Sequence, residues 1–209
     1  MSRPPKVGLL DYGSGNLHSA RRALEATGAD VRVSVNPADF DSCDGLVVPG
    51  VGAFAACMAG LASVGGDELV RSWLQQGRRL LGICVGHQIL FDAGVEHGTR
   101  AAGLGIFPGT VERLNAERLP HMGWNTVQPP HDTVVFAGVA HERFYFVHSY
   151  GVHAPDGLGA GVRVTTASHG GDTFVAACES ELVSSTQFHP EKSGEAGARL
   201  LSSWVATLL

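Results

Sequence analysis

Three times in the first half of this chain, a short apolar run closes in a glycine-containing turn and is followed by a helical stretch. Lys6–Leu10 runs into Asp11-Tyr-Gly-Ser-Gly15 and a helix from about Asn16 to Ala26. Asp44-Gly-Leu-Val-Val48 runs into Pro49-Gly-Val-Gly52 and small-residue helical stretches reaching Gln76, and Arg79–Ile83 into Cys84-Val-Gly-His-Gln88 and a helical segment to about Phe91. Val31–Val35 adds a short β-branched strand. Apolar runs without alternation mark strands covered on both faces, and parallel strands need helical crossovers to connect them. The pattern therefore predicts an α/β fold with a largely parallel sheet flanked by helices. Ligands of such sheets sit at the carboxyl ends of the strands, which is where these glycine turns fall.

The second half changes character. Thr110–Leu114, Thr133–Phe136, Phe144–His148, Gly161–Ala167, Thr173–Cys178 and Leu182–Phe188 are β-type runs between Gly, Pro and Asp turns, and are expected as additional antiparallel strands on or beside the same sheet. The segment from Gly194 to Leu209 sets Leu200, Leu201, Trp204, Val205 and Leu208 on one helical face, so it should pack back on the sheet. No repeat or linker divides the chain. Its 209 residues suit one domain spanning 1–209 that holds its core without a metal or disulfide.

Composition excludes several classes of function. A net charge of −5 disfavours general binding to nucleic acid or anionic membranes. Cys43, Cys57, Cys84 and Cys178 form no C-x-x-C pair and no regular framework, so a reducing, cytoplasmic setting fits, without a structural metal. Gly45–Gly66 is uncharged and long, but Pro49 and its glycines make it a loop and small-residue helix rather than a membrane span. Cys84-x-x-His87 has the spacing of metal ligands, yet no second pair accompanies it.

The chemistry concentrates in Gly82-Ile-Cys84-Val-Gly86, a G-x-C-x-G sequence between a buried strand and a helix, the setting of a nucleophile elbow. Glycines two residues either side avoid collision with neighbouring backbone. The following helix is expected to lower the thiol pKa through its dipole, and the Val85 N–H to point where an oxyanion forms. A thiolate needs a base, and His189-Pro-Glu191 lies at the end of another strand run, with a carboxylate placed to orient the imidazole. The residues alone leave open a cysteine hydrolase, such as a peptidase on the same elbow, and a non-catalytic interaction module that retains only the fold.

With Gly82-Ile-Cys-Val-Gly-His-Gln88, His189-Pro-Glu191 and Pro49-Gly-Val-Gly52 in view, the chain resembles the class I (triad) glutamine amidotransferases, of flavodoxin-like fold, over nearly its whole length. Asp11-Tyr-Gly-Ser-Gly-Asn-Leu17, Pro49-Gly-Val-Gly-Ala-Phe54, Arg118-Leu-Pro-His-Met-Gly-Trp-Asn125, Tyr145-Phe-Val-His-Ser-Tyr150 and Gln187-Phe-His-Pro-Glu-Lys-Ser193 narrow the resemblance. They point to the glutaminase subunits of imidazole glycerol phosphate synthases, over glutaminases that feed other synthases. His87 departs from the family, which usually has Met there.

The resemblance implies a catalytic set of Cys84, His189 and Glu191, with backbone N–H groups of Val85 and of Gly50, Val51 and Gly52 holding the oxyanion. It implies glutamine contacts from Gln88, Glu96, His148, Ser149 and Tyr150, with Glu96 meeting the substrate α-amino group. No cofactor is implied. The chain carries no evident sugar-phosphate site, so a partner is expected. In the resembled enzymes this is a (β/α)₈ barrel cyclase that receives ammonia and makes imidazole glycerol phosphate and aminoimidazole carboxamide ribotide. By the same match Asn16, Met122, Trp124, Tyr145 and Lys192 should face that partner.

Overall fold

The computed structural model describes residues 3–153 and 158–208; Leu209, the last residue of the expected C-terminal helix, lies outside them. In chain order the elements are β1 (Lys6–Leu10), α1 (Leu17–Glu25), β2 (Asp30–Ser34), β3 (Gly45–Gly50), α2 (Phe54–Ser63), α3 (Gly66–Gln75), β4 (Arg79–Cys84), α4 (Val85–Gln88) and β5 (Phe91–Glu96). They continue as β6 (Thr99–Ala102), β7 (Phe107–Arg113), β8 (His121–Thr126), β9 (Arg143–His148), β10 (Tyr150–Val152), β11 (Arg163–His169), β12 (Asp172–Glu179), β13 (Val183–Thr186) and α5 (Gly194–Ala206).

The main sheet has the order β11-β12-β13-β4-β3-β1-β2, and β13, β4, β3, β1 and β2 run parallel. Every residue of β3, and all but the first of β1 and β4, is buried, because helices cover both faces. α1 lies against α5 and α2 against α3; right-handed crossovers in opposite directions from the centre put the two pairs on opposite faces. In α5, Leu200, Leu201, Trp204 and Val205 are buried, as their spacing predicts, and Leu208 packs against the core beyond the helix end. The strand order reverses beside β1, whose neighbours β2 and β3 are reached by crossovers that run in opposite directions along the sheet. Such a switch opens a crevice at the carboxyl ends.

Two smaller sheets complete the molecule, β10-β7-β5-β6 and the hairpin β8-β9. An aromatic cluster joins the hairpin to the main sheet. Phe144 stacks on Phe188 at 4.4 Å, and Phe146 meets Phe174 edge-on at 5.9 Å, all four fully buried. Each such ring contributes about 2–3 kcal/mol of burial, and the cluster fixes where β9 delivers His148.

The structure corrects several expectations. The helix after Cys84 does not reach Phe91: α4 is a single turn, and the apolar Ile89-Leu90-Phe91 run instead accepts backbone hydrogen bonds from Leu104, Gly105 and Ile106 and opens β5. Thr133–Phe136 is not a strand. The Val134 and Val135 N–H groups donate to the buried carboxylate of Glu179 at 2.9 and 3.1 Å, which wraps the run into turns. Pro49 and Gly50 extend β3 instead of opening its loop. Among the runs expected to be antiparallel, the one from Leu182 becomes β13, parallel to β4. Among the described residues no helix is long and apolar enough to cross a membrane, and no cluster of side chains is arranged to hold a metal.

Candidate functional site

Three adjacent strands, β3, β4 and β13, deliver their carboxyl ends to one place. At the end of β4, Cys84 has φ 57° and ψ −111°, in the left-handed half of backbone space where a non-glycine residue is strained. The flanking glycines let this turn close. A Cβ on Gly82 would lie 2.6 Å from the Gly86 carbonyl oxygen, and one on Gly86 would overlap the Val48 carbonyl. Gly50, paired with Cys84 in the sheet, packs so closely on the turn that its Cβ would lie 2.6 Å from the Gly86 nitrogen.

Beyond β13 the chain turns at His189-Pro190-Glu191. His189 Nδ1 meets Glu191 Oε1 at 2.7 Å, with both side chains 3% exposed. Burial pushes the His189 ring down, but hydrogen bonds to Cys84 and Glu191, reinforced by their charges, raise its pKa to about 9. The imidazole is thus held as a cation between sulfur and carboxylate. Ser193 steadies the turn: its hydroxyl donates to the His189 carbonyl at 2.6 Å and accepts the Tyr145 N–H at 2.9 Å.

A cavity of about 220 Å³ opens over the sulfur, lined by Val51, Gly52, Cys84, Val85, Gln88, Glu96, Val147, His148, Ser149, Tyr150, His189 and Lys192. The structure therefore gathers nearly all the residues expected for nucleophile, base, oxyanion and substrate contacts around one space. Gln88 donates through Nε2 to the Tyr150 carbonyl and to Gln187 Oε1, both at 2.9 Å, which commits both its amide protons. Glu96 Oε2 accepts the Phe54 N–H at 3.0 Å, tying the start of α2 to the cavity rim. His148 lines the cavity with both ring nitrogens already engaged, Nδ1 by the Tyr150 carbonyl at 2.9 Å and Nε2 by His121 at 3.0 Å.

The backbone groups expected to hold an oxyanion are divided. Val85 is the first residue of α4, so its N–H has no partner within the helix. Val51 is held by Ser14, whose hydroxyl accepts the Val51 N–H at 2.9 Å and donates to the Val51 carbonyl at 2.8 Å, while Cys57 Sγ donates to that carbonyl at 3.3 Å. Tyr12 donates to the Pro49 carbonyl from the same side. The Val51 N–H is therefore turned towards Ser14. One turn of helix also carries far less dipole than the longer helix expected behind Cys84.

Other expected residues fall around this centre. Gly50, Asn16 and Glu191 border a much smaller pocket behind the cavity, and Glu191 Oε2 is buried there without a hydrogen-bond partner among the described residues. Met122 and Trp124 project from β8, 61% and 47% exposed, and Trp124 meets Tyr145 of β9 edge-on at 6.2 Å. His87 stays out of the cavity. It is fully buried, its Nδ1 lies 2.8 Å from Ser185 Oγ, and burial pushes its pKa down to about 3. The other cysteines are buried too, and burial raises the Cys178 thiol well above its ordinary value.

The sequence reading missed Val147, Gln187 and the Ser14–Cys57 clamp. Gln187 Nε2 approaches Cys84 Sγ at 3.9 Å. Its position two residues before His189, on the same face of an extended chain, was the available signal.

Comparison with known proteins adds the following. Residues 8–207 match the family described as "Glutamine amidotransferase class-I". The chain is 59% identical over 208 residues to "Imidazole glycerol phosphate synthase subunit HisH" of Cutibacterium acnes, covering all of both chains. It is 58% identical over 207 residues to the protein of the same name in Nocardia farcinica, covering 97% of this chain and 98% of that one. Among solved structures, a "glutamine amidotransferase" superposes with a TM-score of 0.74 at 22% identity over 97% of each chain, and PurLQS from Thermotoga maritima with 0.74 at 19% over 100% of each. At those identities the solved structures establish the fold.

Proposed function

We propose, from the premise that the chain belongs to the class-I glutamine amidotransferase family, that it is the glutaminase subunit of an imidazole glycerol phosphate synthase. As one glutamine amidotransferase domain spanning 1–209, it hydrolyses glutamine in the cytoplasm and passes ammonia to a (β/α)₈ cyclase partner. The observation that carries this reading is the meeting of a strained Cys84 and a buried His189–Glu191 pair over a cavity sized for one amino acid.

In the first step Cys84 Sγ attacks the side-chain carbonyl carbon of glutamine, and the carbonyl π pair moves to oxygen. The Val85 N–H receives the oxyanion, joined by an N–H of the 50–52 loop once Val51 is released from Ser14. As the tetrahedral centre collapses, the C–N bond breaks, and His189 gives its Nε2 proton to the leaving nitrogen, so that ammonia departs from a glutamyl thioester. Water then loses a proton to His189 and attacks the thioester carbon. Glutamate leaves, and Cys84 and the imidazolium return. Glu191 keeps Nδ1 protonated and the ring aimed at sulfur throughout.

Gln88, Glu96, Ser149 and Tyr150 bind the amino-acid end of the substrate: the Glu96 carboxylate pairs with the α-amino group, and the backbone at 148–150 meets the α-carboxylate. Asn16, Met122, Trp124, Tyr145 and Lys192 form the partner face. Exposed Met122 and Trp124 supply the apolar anchors such an interface needs. Lys192, which has no acidic partner among the described residues, pairs with an acid of the cyclase.

Reconstitution with the cognate cyclase, followed for glutamate and for imidazole glycerol phosphate, tests the reading. Equimolar products are expected from the complex. Cys84→Ala abolishes both, whereas the variant with exogenous ammonium salt still yields the imidazole product. Glutamine hydrolysis unchanged in Cys84→Ala would overturn the assignment.

A further inference from the structure

Strand β8 has two faces. Met122 and Trp124 point outwards, whereas His121 is 4% exposed and stacks between Phe146, at 4.7 Å, and His169, at 4.2 Å. A row of hydrogen bonds runs inward from this strand, and the position of every proton in it can be assigned. The Thr126 N–H donates to Asn125 Oδ1 at 2.9 Å, so the oxygen of that amide is fixed and its NH₂ faces the other way. Asn125 Nδ2 then donates to the Ser168 carbonyl at 2.9 Å and to His121 Nε2 at 3.2 Å. A ring nitrogen that accepts leaves the proton of a neutral imidazole on the other nitrogen. His121 Nδ1 therefore donates to His148 Nε2 at 3.0 Å, and by the same logic His148 Nδ1 donates to the Tyr150 carbonyl at 2.9 Å. That carbonyl also receives Gln88 Nε2 at 2.9 Å. Both rings must be neutral for this directionality, and burial holds His121 at a pKa of about 4 and His148 at about 3.

We propose that Asn125 and His121 are positioning residues for the glutamine site, acting through a one-way chain of protons that fixes the tautomer of His148 and so holds the Tyr150 carbonyl and Gln88 at the cavity wall. The chain starts on the strand whose opposite face carries Met122 and Trp124, so the strand that meets the partner also aligns the substrate pocket. The inference rests on the cavity being the glutamine site. It assigns to Asn125 and His121 a role in substrate affinity without contact with substrate.

Reversing the first donor is the sharpest perturbation. Asn125→Asp offers His121 Nε2 only acceptors. A neutral His121 must then turn its proton to Nε2, His148 follows, and an unprotonated Nδ1 faces the Tyr150 carbonyl. A doubly protonated His121 removes the conflict along the two histidines, leaving only the donor lost to the Ser168 carbonyl, a loss Asn125→Ala shares. The ionisable groups against His121 are His148 of β9 and His169 of β11, and neither supplies a negative charge, so in this variant the added carboxylate alone favours the cation. Asn125→Ala removes the donor without reversing anything.

The experiment uses the complex with the cyclase: KM and kcat for glutamine from pH 6 to 9, and ring ¹⁵N shifts of selectively labelled histidine. Wild type is expected to show both His121 and His148 as Nδ1–H tautomers. In Asn125→Asp the KM ratio to wild type is expected near one at pH 6, rising to about tenfold at pH 9, with kcat within about twofold. Asn125→Ala stays within about threefold at every pH. An Nε2–H tautomer for His148 in wild type, a flat KM ratio in Asn125→Asp, or equal losses in the two variants overturns the proposal. A wild-type complex that does not hydrolyse glutamine overturns the functional reading instead, and the ring shifts still decide the proton order.

Discussion

Adding one methyl group at Gly82 tests whether the strained turn around Cys84 depends on close backbone approach. Gly82 lies in β4 without a positive φ, so alanine meets no backbone penalty there, and the substitution isolates the steric effect. Its Cβ would lie 2.6 Å from the Gly86 oxygen and 3.0 Å from both the Gly86 carbonyl carbon and Leu90 Cδ1, where ordinary contact begins at 3.4 Å. Leu90 can rotate. The Gly86 carbonyl cannot yield alone, since it belongs to the turn bearing the Val85 N–H and Gln88. To restore contact, α4 must move by about 0.8 Å relative to β4, enough to misalign the Val85 N–H proposed as an oxyanion donor. Displacements of this size cost about tenfold to a hundredfold in rate, and overpacking of a tight core costs about 1–3 kcal/mol. We expect Gly82→Ala to fold with Tm lower by roughly 2–12 °C, and to lose about tenfold to a hundredfold in glutaminase kcat in the reconstituted complex while KM changes less. A fully active Gly82→Ala enzyme with unchanged Tm would refute the claim that this spacing sets the elbow. Gly86→Ala, which collides with the Val48 carbonyl, should be worse on both counts.

His189 links stability to pH. Its pKa of about 9 stands above the unfolded value of 6.5, so its contribution is complete below pH 6.5 and fades as pH rises through 9. It amounts to about 3 kcal/mol, and urea midpoints from pH 6 to 10 should fall accordingly, with a shallower slope in Glu191→Gln. Ser14→Ala frees the Val51 N–H and leaves the Val51 carbonyl only its contact with Cys57 Sγ. It should raise the partner-free glutaminase rate several-fold and narrow the stimulation by the cyclase; an unchanged basal rate would show that Ser14 does not restrain the loop. Glu179→Ala strips the Val134 and Val135 N–H groups of their acceptor. It should cost about 3 kcal/mol, read as a Tm fall of roughly 6–12 °C, with little effect on glutamine KM.

The parallel half of the sheet was legible in the sequence because β1, β3 and β4 are buried on both faces and read as unbroken apolar runs. The elbow was legible because its glycines have a steric reason to be there. What escaped was structure decided by partners distant in sequence. Thr133–Phe136 has strand-like composition, but a carboxylate brought in by β12 offers its amides a better acceptor than a neighbouring strand. Ile89–Phe91 is apolar in either a helix or a strand, and only its pairing with 104–106 decides between them. β8 hides because it is inverted, with Met122 and Trp124 outside and His121 inside. Among the site residues, Cys84, His189 and Glu191 sit in short motifs whose spacing carries chemistry. Ser14 and Gln187 act through hydrogen bonds to residues far along the chain; no local pattern announces Ser14, and only its spacing from His189 points to Gln187.

The place of β13 in the sheet has a consequence for synthesis of the protein. This strand enters between β4 and β12, although the ribosome makes it after the six other strands of that sheet. While the chain emerges, β4 has an open edge and the thiol at its tip lacks an imidazole. On the roles proposed for Cys84 and His189, glutamine hydrolysis waits until β13 slots into the gap, so that chains still being made leave the cell's nitrogen donor untouched.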